Sequence, residues 1–149
     1  MATFKLFDDF GEDLGKEIHT LATDDFEVLL SNVAPVQDTG SVYTDITQIA
    51  TGNGYTQFSG ANSPHQLTGL TWSETGAGLG VWRWLSADFV FTAAGGSIAQ
   101  FRYPVIINNT APSNEVVGYL DYGGPVDVTV GNTFTLDVGA NGWFELTIP

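Results

Sequence analysis

The sequence predicts a mainly β protein: an antiparallel β-sandwich or jelly-roll-like barrel with one short N-terminal α-helix and a long ordered loop. From residue 66 onward, short runs of alternating apolar and polar residues follow one another, separated by turn sequences rich in Gly and Asn. Only one segment, near the N-terminus, has helical periodicity. About eight short strands at this spacing are typical of sandwich and jelly-roll architectures. We expect one domain covering residues 1–149.

The N-terminal segment, residues 1–24, is predicted to contain the helix, over about residues 8–20. Acidic residues crowd the start of this stretch and Lys16 lies late in it, as the helix dipole favours. Gly11 and Gly15 oppose the helix, each by roughly 1 kcal/mol relative to Ala. The apolar residues that recur at spacings of three and four, and so share one helical face, are Phe7, Phe10, Leu14, Ile18 and Leu21.

Residues 25–65 are predicted to form one strand followed by the long loop. Asp25 and Glu27 alternate with apolar residues, which predicts a strand with one face exposed to solvent. The stretch 36–64 has only short apolar pieces between Thr, Asp, Gly and Asn, with room for at most one helical turn. Because long ordered loops are commonly functional, this loop is a candidate contact surface.

Residues 66–149 are predicted to form the β-sandwich core. The dipeptide Gly131-Asn132 lies between two alternating runs, which is a two-residue hairpin signal, and residues 139–142 are expected to close the last hairpin. The predicted strands cover residues 67–73, 81–93, 98–108, 116–122, 126–130, 133–138 and 143–148.

The charge balance limits the partners of this protein. Four Lys and Arg residues stand against 17 Asp and Glu residues, for a net charge of −13. Phosphate backbones and anionic lipids attract clusters of Lys and Arg, so we expect neither nucleic acid nor membrane as a partner. Two explanations of this charge remain open: a basic partner surface, which it would complement, and a saline environment. No cysteine is present, which excludes disulfides and thiolate chemistry. Without a secretory signal sequence, we expect synthesis in the cytoplasm and exit by lysis or within an assembly.

The residues that could carry catalysis are few and scattered. His19 and His65 are the only histidines, and no G-x-S-x-G motif accompanies them. The pairs Asp8-Asp9 and Asp24-Asp25 and the separate Asp121, Asp127 and Asp137 invite a glycosidase or Ca²⁺ hypothesis, but no spacing enforces paired carboxylates or an EF-hand loop. We therefore predict a protein that is not an enzyme and has no cofactor, metal or catalytic residue.

Aromatic residues are the strongest indication of a binding surface. Three interpretations remain open for the tryptophans: a central strand buried on both faces, a subunit or partner interface, and a platform on which sugars stack. Trp and Tyr are favoured at interfaces because their rings are large and their polar atoms tolerate water. The four tryptophans are Trp72, Trp82, Trp84 and Trp143.

Four segments together resemble a known group of proteins. They are FKLFDDF at residues 4–10, DFEVLLSN at 25–32 followed by Ala34-Pro35, DITQIATGNGYT at 45–56, and GYLDYG at 118–123 with GNTFTL at 131–136. In these segments the chain resembles small virion structural proteins of tailed bacteriophages and prophages. The resemblance covers nearly the whole chain except for residues 57–80, and it implies no catalytic residue.

The resemblance implies a capsid cement (decoration) protein on the outer surface of the virion. Such a protein would bind the phage major capsid protein across subunit junctions, as a homo-oligomer for which a trimer is favoured. The alternative is a host-recognition module on the tail or the capsid surface that binds carbohydrate. The candidate partner interface is Phe4, Leu6, Phe7, Asn53, Tyr55, Trp82, Trp84, Tyr119 and Tyr122.

Overall fold

The computed structural model describes residues 2–61 and 64–149, and the predicted mainly β class is confirmed. The described part of the chain contains eleven strands in antiparallel sheets, one short α-helix and one 3-10 turn. In chain order the elements are β1 (Phe4–Leu6), α1 (Phe10–Gly15), β2 (Phe26–Ser31), a 3-10 turn (Tyr43–Asp45), β3 (Thr71–Glu74), β4 (Val81–Leu85), β5 (Phe89–Thr92), β6 (Ile98–Phe101), β7 (Tyr103–Asn108), β8 (Val116–Leu120), β9 (Val126–Val128), β10 (Thr133–Leu136) and β11 (Phe144–Thr147).

The strands from β4 to β11 pair in a nested order. β7 pairs with β8, β6 with β9, β5 with β10 and β4 with β11, all antiparallel. The chain thus resembles one long hairpin folded over on itself, which is the connectivity of a jelly roll. β3 adds to the outer pair as β11-β4-β3, while β1 and β2 flank the inner pair as β1-β8-β7-β2. Within the described residues the result is sandwich-like, and the four sheets do not close into a barrel.

The nested order corrects both predicted hairpins. Gly131 and Asn132 do form a tight turn, with φ of 82° at Gly131, but β9 and β10 on either side pair with different strands. The loop 139–142 likewise joins β10 to β11, which lie in different sheets. Both turns carry the chain from one sheet to another, so the local turn signal is right and the inferred partner is wrong.

Two of the long predicted strands are each divided in two, because the chain passes from one sheet to another partway along them. The stretch 81–93 divides into β4 and β5, and the stretch 98–108 divides at Arg102. At that break the Arg102 guanidinium donates to both carboxylate oxygens of Asp121, at 2.7 and 3.0 Å. Its backbone N–H donates to the carbonyl of Ser31. The alternation is not continuous across the break, because Phe101 packs in a different core cluster from Tyr103, Val105 and Ile107.

The helix is shorter than predicted. It covers Phe10–Gly15 rather than residues 8–20, and of the five apolar residues assigned to its face only Phe10 and Leu14 lie in it. Two glycines weaken a helix of six residues, and Glu17 adopts a positive φ of 61° just beyond its end. Phe7, Ile18 and Leu21 instead lie in the flanking chain, where Phe7 and Leu21 are buried.

Strand β2 is buried on both faces, which corrects the predicted solvent-exposed face. The Glu27 side chain is buried along with its apolar neighbours. The free edge of β2 is covered by other chain segments: Glu27 bridges to Gln66 and Ser31 bridges to Gln48. Because β1 and β2 sit beside β7 and β8, the β core extends beyond residues 66–149.

The long loop, 32–61, covers one face of the four-stranded sheet. On that face lies a core cluster in which Ile46 and Phe58 from the loop meet Leu29, Val105 and neighbours from the sheet. The opposite face carries the larger core cluster, shared with the smaller sheets. Alternate residues of β7 divide between the two, which is how a sheet buried on both faces is built. Within the described residues, no helix is long and apolar enough to cross a membrane.

Candidate functional site

The sheet β11-β4-β3 places a row of aromatic residues on one face. Trp72 of β3 and Phe144 of β11 both lie opposite Trp84 of β4. Two residues earlier on β4, Trp82 lies opposite Leu146. Because side chains two apart on a strand point to the same face, these five residues share one face, where Glu74 of β3 lies on the other side of Trp82.

This face runs from the core into solvent. Trp84 is completely buried, Trp72 and Trp82 are half-buried, and Leu146 is 42% exposed. Ile148, just after β11, is 58% exposed and its backbone N–H donates to the carbonyl of Gly80, which follows Leu79, itself 65% exposed. Exposed apolar side chains grouped in this way mark interaction sites more often than isolated ones. We call the group the aromatic surface and define it as Trp72, Trp82, Leu146, Ile148 and Leu79.

Trp72 and Trp82 pack against each other as a pair. Their ring centroids are 6.0 Å apart with planes inclined by 26°. Trp72 is also anchored from below by Phe144, at 5.8 Å between centroids, and Phe144 in turn contacts Trp84 at the same distance. The half-exposed pair is therefore packed against half-buried Phe144 and, through it, buried Trp84, so binding a partner would cost little side-chain freedom.

The loop beside the aromatic surface is fixed by Glu74. Its carboxylate accepts the backbone N–H groups of Gly78 at 3.1 Å and Gly80 at 2.7 Å. Gly80 has φ of 65°, and a Cβ there would lie 2.5 Å from the carbonyl oxygen of Ile148. Only glycine allows this close approach of the loop to the end of β11. The position of Leu79 is thus set by Gly78 and Gly80 on either side of it, both of which are hydrogen-bonded to Glu74.

The basic side chains are already occupied within the chain. Lys16 pairs with Glu12, Arg83 with Glu145, and Arg102 with Asp121. The ammonium group of Lys5 lies 5.8 Å from the ring centre of Tyr119. With a net charge of −13, the remaining carboxylates make the surface strongly negative. A basic partner surface complements it.

The nine residues predicted to contact a partner divide by burial. Phe7, Tyr55, Trp84 and Tyr119 are buried, at 2%, 1%, 0% and 7% exposure, so they are core residues and cannot contact a partner without rearrangement. Phe4, Leu6 and Trp82 are half-buried, and Asn53 and Tyr122 are exposed.

The exposed members of that set do not form one site. The Asn53 amide donates to the carbonyl of Ser97, and the Tyr122 ring packs against Phe134 of β10. Only Trp82 belongs to the aromatic surface. Sequence reasoning identified Trp72 as one of four tryptophans but missed Leu146, because nothing local shows that β11 pairs with β4.

The histidines are core residues. Nε2 of His65 accepts the backbone N–H of Thr56 at 3.0 Å, and its ring stacks on Tyr55 with centroids 5.1 Å apart. Burial lowers the pKa of His65 to about 4, with a smaller opposing effect of the Thr56 backbone. Burial also raises the pKa of Tyr55 to about 12, against the effect of its hydrogen bond from Leu30. Both groups are neutral near pH 7 and stabilise the loop 32–61.

Metal binding has no candidate site in the described residues. Among them, no group of three or more His, Cys, Asp or Glu side chains is placed to hold a metal ion.

One surface cavity is too small for a drug-sized ligand. Its volume of about 70 Å³ is enough for roughly two water molecules, whereas drug-sized ligands occupy pockets of about 300–1,000 Å³. Its lining is Ala2, Phe4, Leu120, Asp137, Val138, Gly142 and Trp143.

No protein-family model matches the chain, and neither the curated proteins nor the solved structures include a significant match to it.

Proposed function

We propose that this protein is a non-enzymatic structural protein of a phage virion, a capsid cement protein that binds the outer shell. The observation that carries the proposal is the half-exposed Trp72–Trp82 pair, which continues into Leu146 at 42% exposure. The assignment to a virion comes from the resemblance of four sequence segments to small virion proteins. The partner would be the major capsid protein, bound on the outer surface of the virion.

Binding would depend mainly on burial of the aromatic surface. Tryptophan residues that become fully desolvated at an interface commonly contribute 2 kcal/mol or more, which is about 30-fold in affinity. One such patch makes a modest interface. A homo-oligomer, with a trimer favoured, would present several copies to neighbouring shell subunits and gain affinity through multivalency.

The charge of the protein indicates which shell surface it would choose. Its basic side chains are engaged internally and its net charge is −13, so the complementary shell surface carries Lys and Arg around an apolar centre. Attraction of this kind speeds association more than it adds affinity, and salt weakens it. We expect association with shells to slow as ionic strength rises.

Cosedimentation with empty phage shells that lack the protein tests the proposal. We expect saturable binding at a fixed ratio to the major capsid protein, with the oligomer mass given by light scattering. Trp82→Ala should weaken binding by about 30-fold. The matched control is Val90→Ala, because Val90 is 49% exposed but lies on β5, outside the aromatic surface. A stable protein that ignores shells at every concentration would overturn the cement role.

A second candidate function is carbohydrate binding by a host-recognition module. The observation that favours it is the inclined, half-exposed pair of indole rings, since sugar rings stack on tryptophan faces. This function predicts binding on a glycan array that disappears in Trp72→Ala and Trp82→Ala while the fold persists. The cement proposal predicts no glycan binding and affinity only for assembled shells.

A further inference from the structure

A buried polar cluster joins the segment after α1 to the end of β7. At its centre is His19, which is 3% exposed. The imidazole ring stacks on Phe10 of α1, with centroids 5.5 Å apart, and packs against Phe26 of β2 at 6.4 Å. Sequence analysis assigned no role to His19, and neither proposed function uses it.

The orientation of the Asn108 amide indicates which ring nitrogen of His19 carries the proton. The side-chain oxygen of Asn108 accepts the backbone N–H groups of Thr110 at 2.9 Å and Ala111 at 3.2 Å, so the orientation of the amide is fixed. Its NH₂ group therefore faces the N-terminal segment, where it lies 3.1 Å from Nδ1 of His19. An Nδ1 atom that faces an NH₂ group is placed to accept from it, which corresponds to a neutral ring with its proton on Nε2.

The same NH₂ group also holds the chain on either side of His19. It donates to the carbonyl of Ile18 at 3.0 Å and to a carboxylate oxygen of Asp24 at 2.8 Å. Three acceptors from residues 18–24 thus converge on one side-chain nitrogen of β7 and share its two hydrogens. Asp24 additionally accepts the backbone N–H of Thr20, which closes the segment into a loop.

The other nitrogen of His19 makes no hydrogen bond of ordinary length and angle. Nε2 is buried, the backbone of Val116 is close enough only to favour the protonated ring slightly, and the carboxylate oxygen of Asp13 in α1 is 3.8 Å away. Buried polar atoms are nearly always paired in folded proteins, so an exception of this kind calls for an explanation. The neutral ring is retained although it leaves one donor unsatisfied.

We propose that His19 and Asn108 form a pH-sensitive latch, which holds residues 16–25 against the end of β7 while His19 is neutral and releases them when it is protonated. A proton on Nδ1 would place an N–H directly against the NH₂ group of Asn108, two donors facing each other. The amide cannot turn over, because its oxygen already accepts from Thr110 and Ala111. Phe10 and Phe26 pack on the ring and limit its movement. Protonation is therefore accommodated by movement of the segment.

Three carboxylates act on the latch from the elements packed around it. Asp24 lies in the segment itself, Asp13 in α1, and Glu115 just before β8. Burial lowers the pKa of His19, although the charges of Glu115 and Asp24 and the backbone of Val116 oppose this effect. The closed form is thus favoured above about pH 6.5, and opening increases as the pH falls from there toward the lower pKa of the closed form.

Asp13 works in the opposite direction. Burial is the largest effect that raises the pKa of Asp13. The charges of Glu115, Asp9 and Glu12 raise it further, and Lys16 has a smaller opposing effect. A carboxylate whose pKa is raised in the closed form favours that form as it becomes protonated, so Asp13 moderates the opening at low pH. Replacing Asp13 with Asn removes this contribution and should leave the opening more steeply dependent on pH.

Amide hydrogen exchange, measured by NMR between about pH 7.5 and about pH 5 and corrected for intrinsic rates, tests the latch. We expect the opening of residues 16–25 to increase as the pH falls below about 6.5, by at most about tenfold for each pH unit because one proton is taken up, while β7 and β8 stay protected. The indole N–H of Trp84 is a second reporter, because it donates to the carbonyl of Leu21 at 2.8 Å and is freed when the segment moves.

Two matched variants separate the latch from general acid sensitivity. His19→Asn keeps an acceptor near Asn108 but cannot titrate, so the pH dependence of residues 16–25 should disappear. His65→Gln removes the other histidine and should leave it intact. Unchanged pH dependence in His19→Asn, or equal loss of protection in β7 and β8, would overturn the proposal.

If His19→Asn does not fold, the latch can still be tested in the wild-type protein. The imidazole of His19 can be titrated directly through its ring nitrogen shifts. Coincidence of that titration with the opening of residues 16–25 supports the latch. Protonation of His19 without any change in exchange there refutes it.

Discussion

The ring of Phe4 occupies the space that a side chain at Gly118 would need. A Cβ added to Gly118 would lie 2.4 Å from Cζ of Phe4 and 2.6 Å from the carbonyl oxygen of Lys5. Because β1 and β8 pair antiparallel with Leu6 opposite Gly118, the bare backbone of β8 is what allows the N-terminal strand to dock. Attachment of residues 4–6 thus depends on one residue more than 100 positions away.

Gly118→Ala should therefore loosen β1. The new methyl group meets a backbone oxygen as well as a ring, so the strand itself must shift, at a cost of roughly 1–3 kcal/mol in the free energy of unfolding. Urea unfolding measures this cost. Gly11→Ala is the control, because a Cβ there meets nothing within 4 Å and α1 should gain up to about 1 kcal/mol. Equal stability of the two variants would contradict this account of the β1–β8 contact.

Trp82 and Trp84 should respond differently to the same substitution. Trp84 is completely buried and its indole N–H donates to the carbonyl of Leu21, so Trp84→Phe leaves both a cavity and an unpaired carbonyl. We expect a loss of about 2–4 kcal/mol in unfolding free energy. Trp82→Phe, at the half-exposed position, should change stability by less than about 1 kcal/mol. Similar losses at both positions would mean that Trp82 is part of the core.

Tyr55→Phe should destabilise the long loop through a single oxygen. The Tyr55 hydroxyl donates to the side chain of Gln48 at 2.9 Å and accepts the backbone N–H of Leu30 at 3.1 Å. Its removal leaves a buried N–H unpaired, which costs about 1–3 kcal/mol. Thermal unfolding should show the change, with Tyr122→Phe as the control at an exposed position. A neutral Tyr55→Phe would indicate that water replaces the hydroxyl.

His65 should make the protein less stable in mild acid. Its pKa of about 4 in the folded protein is below the value of about 6.5 in an unfolded chain, so protonation favours unfolding. Its contribution to stability is complete above about pH 6.5, declines as the pH falls toward about 4, and changes no further below that. Melting temperatures across this range should fall less steeply for His65→Gln than for the wild type. Parallel curves would show that other groups cause the acid sensitivity.

Part of the candidate site could be predicted from sequence and part could not. The tryptophans stood out by composition, and Trp82 was correctly placed on a strand beside Trp84. Their different burial follows from what lies opposite them. Trp84 faces Phe144 and Trp72 within the core, whereas Trp82 faces Leu146 near the end of the sheet. No pattern within β4 distinguishes these two environments.

What the sequence determined by itself is the class of the fold and the approximate location of its strands. Alternation of apolar and polar residues and the Gly and Asn turns are local properties, and each strand requires only its own residues to show them. Only the tertiary structure decided the pairing. The contact between Trp82 and Leu146 and the burial of Glu27 arise from hydrogen bonds between strands far apart in the chain. Such bonds are specified by the packing of the whole core, which no short segment contains.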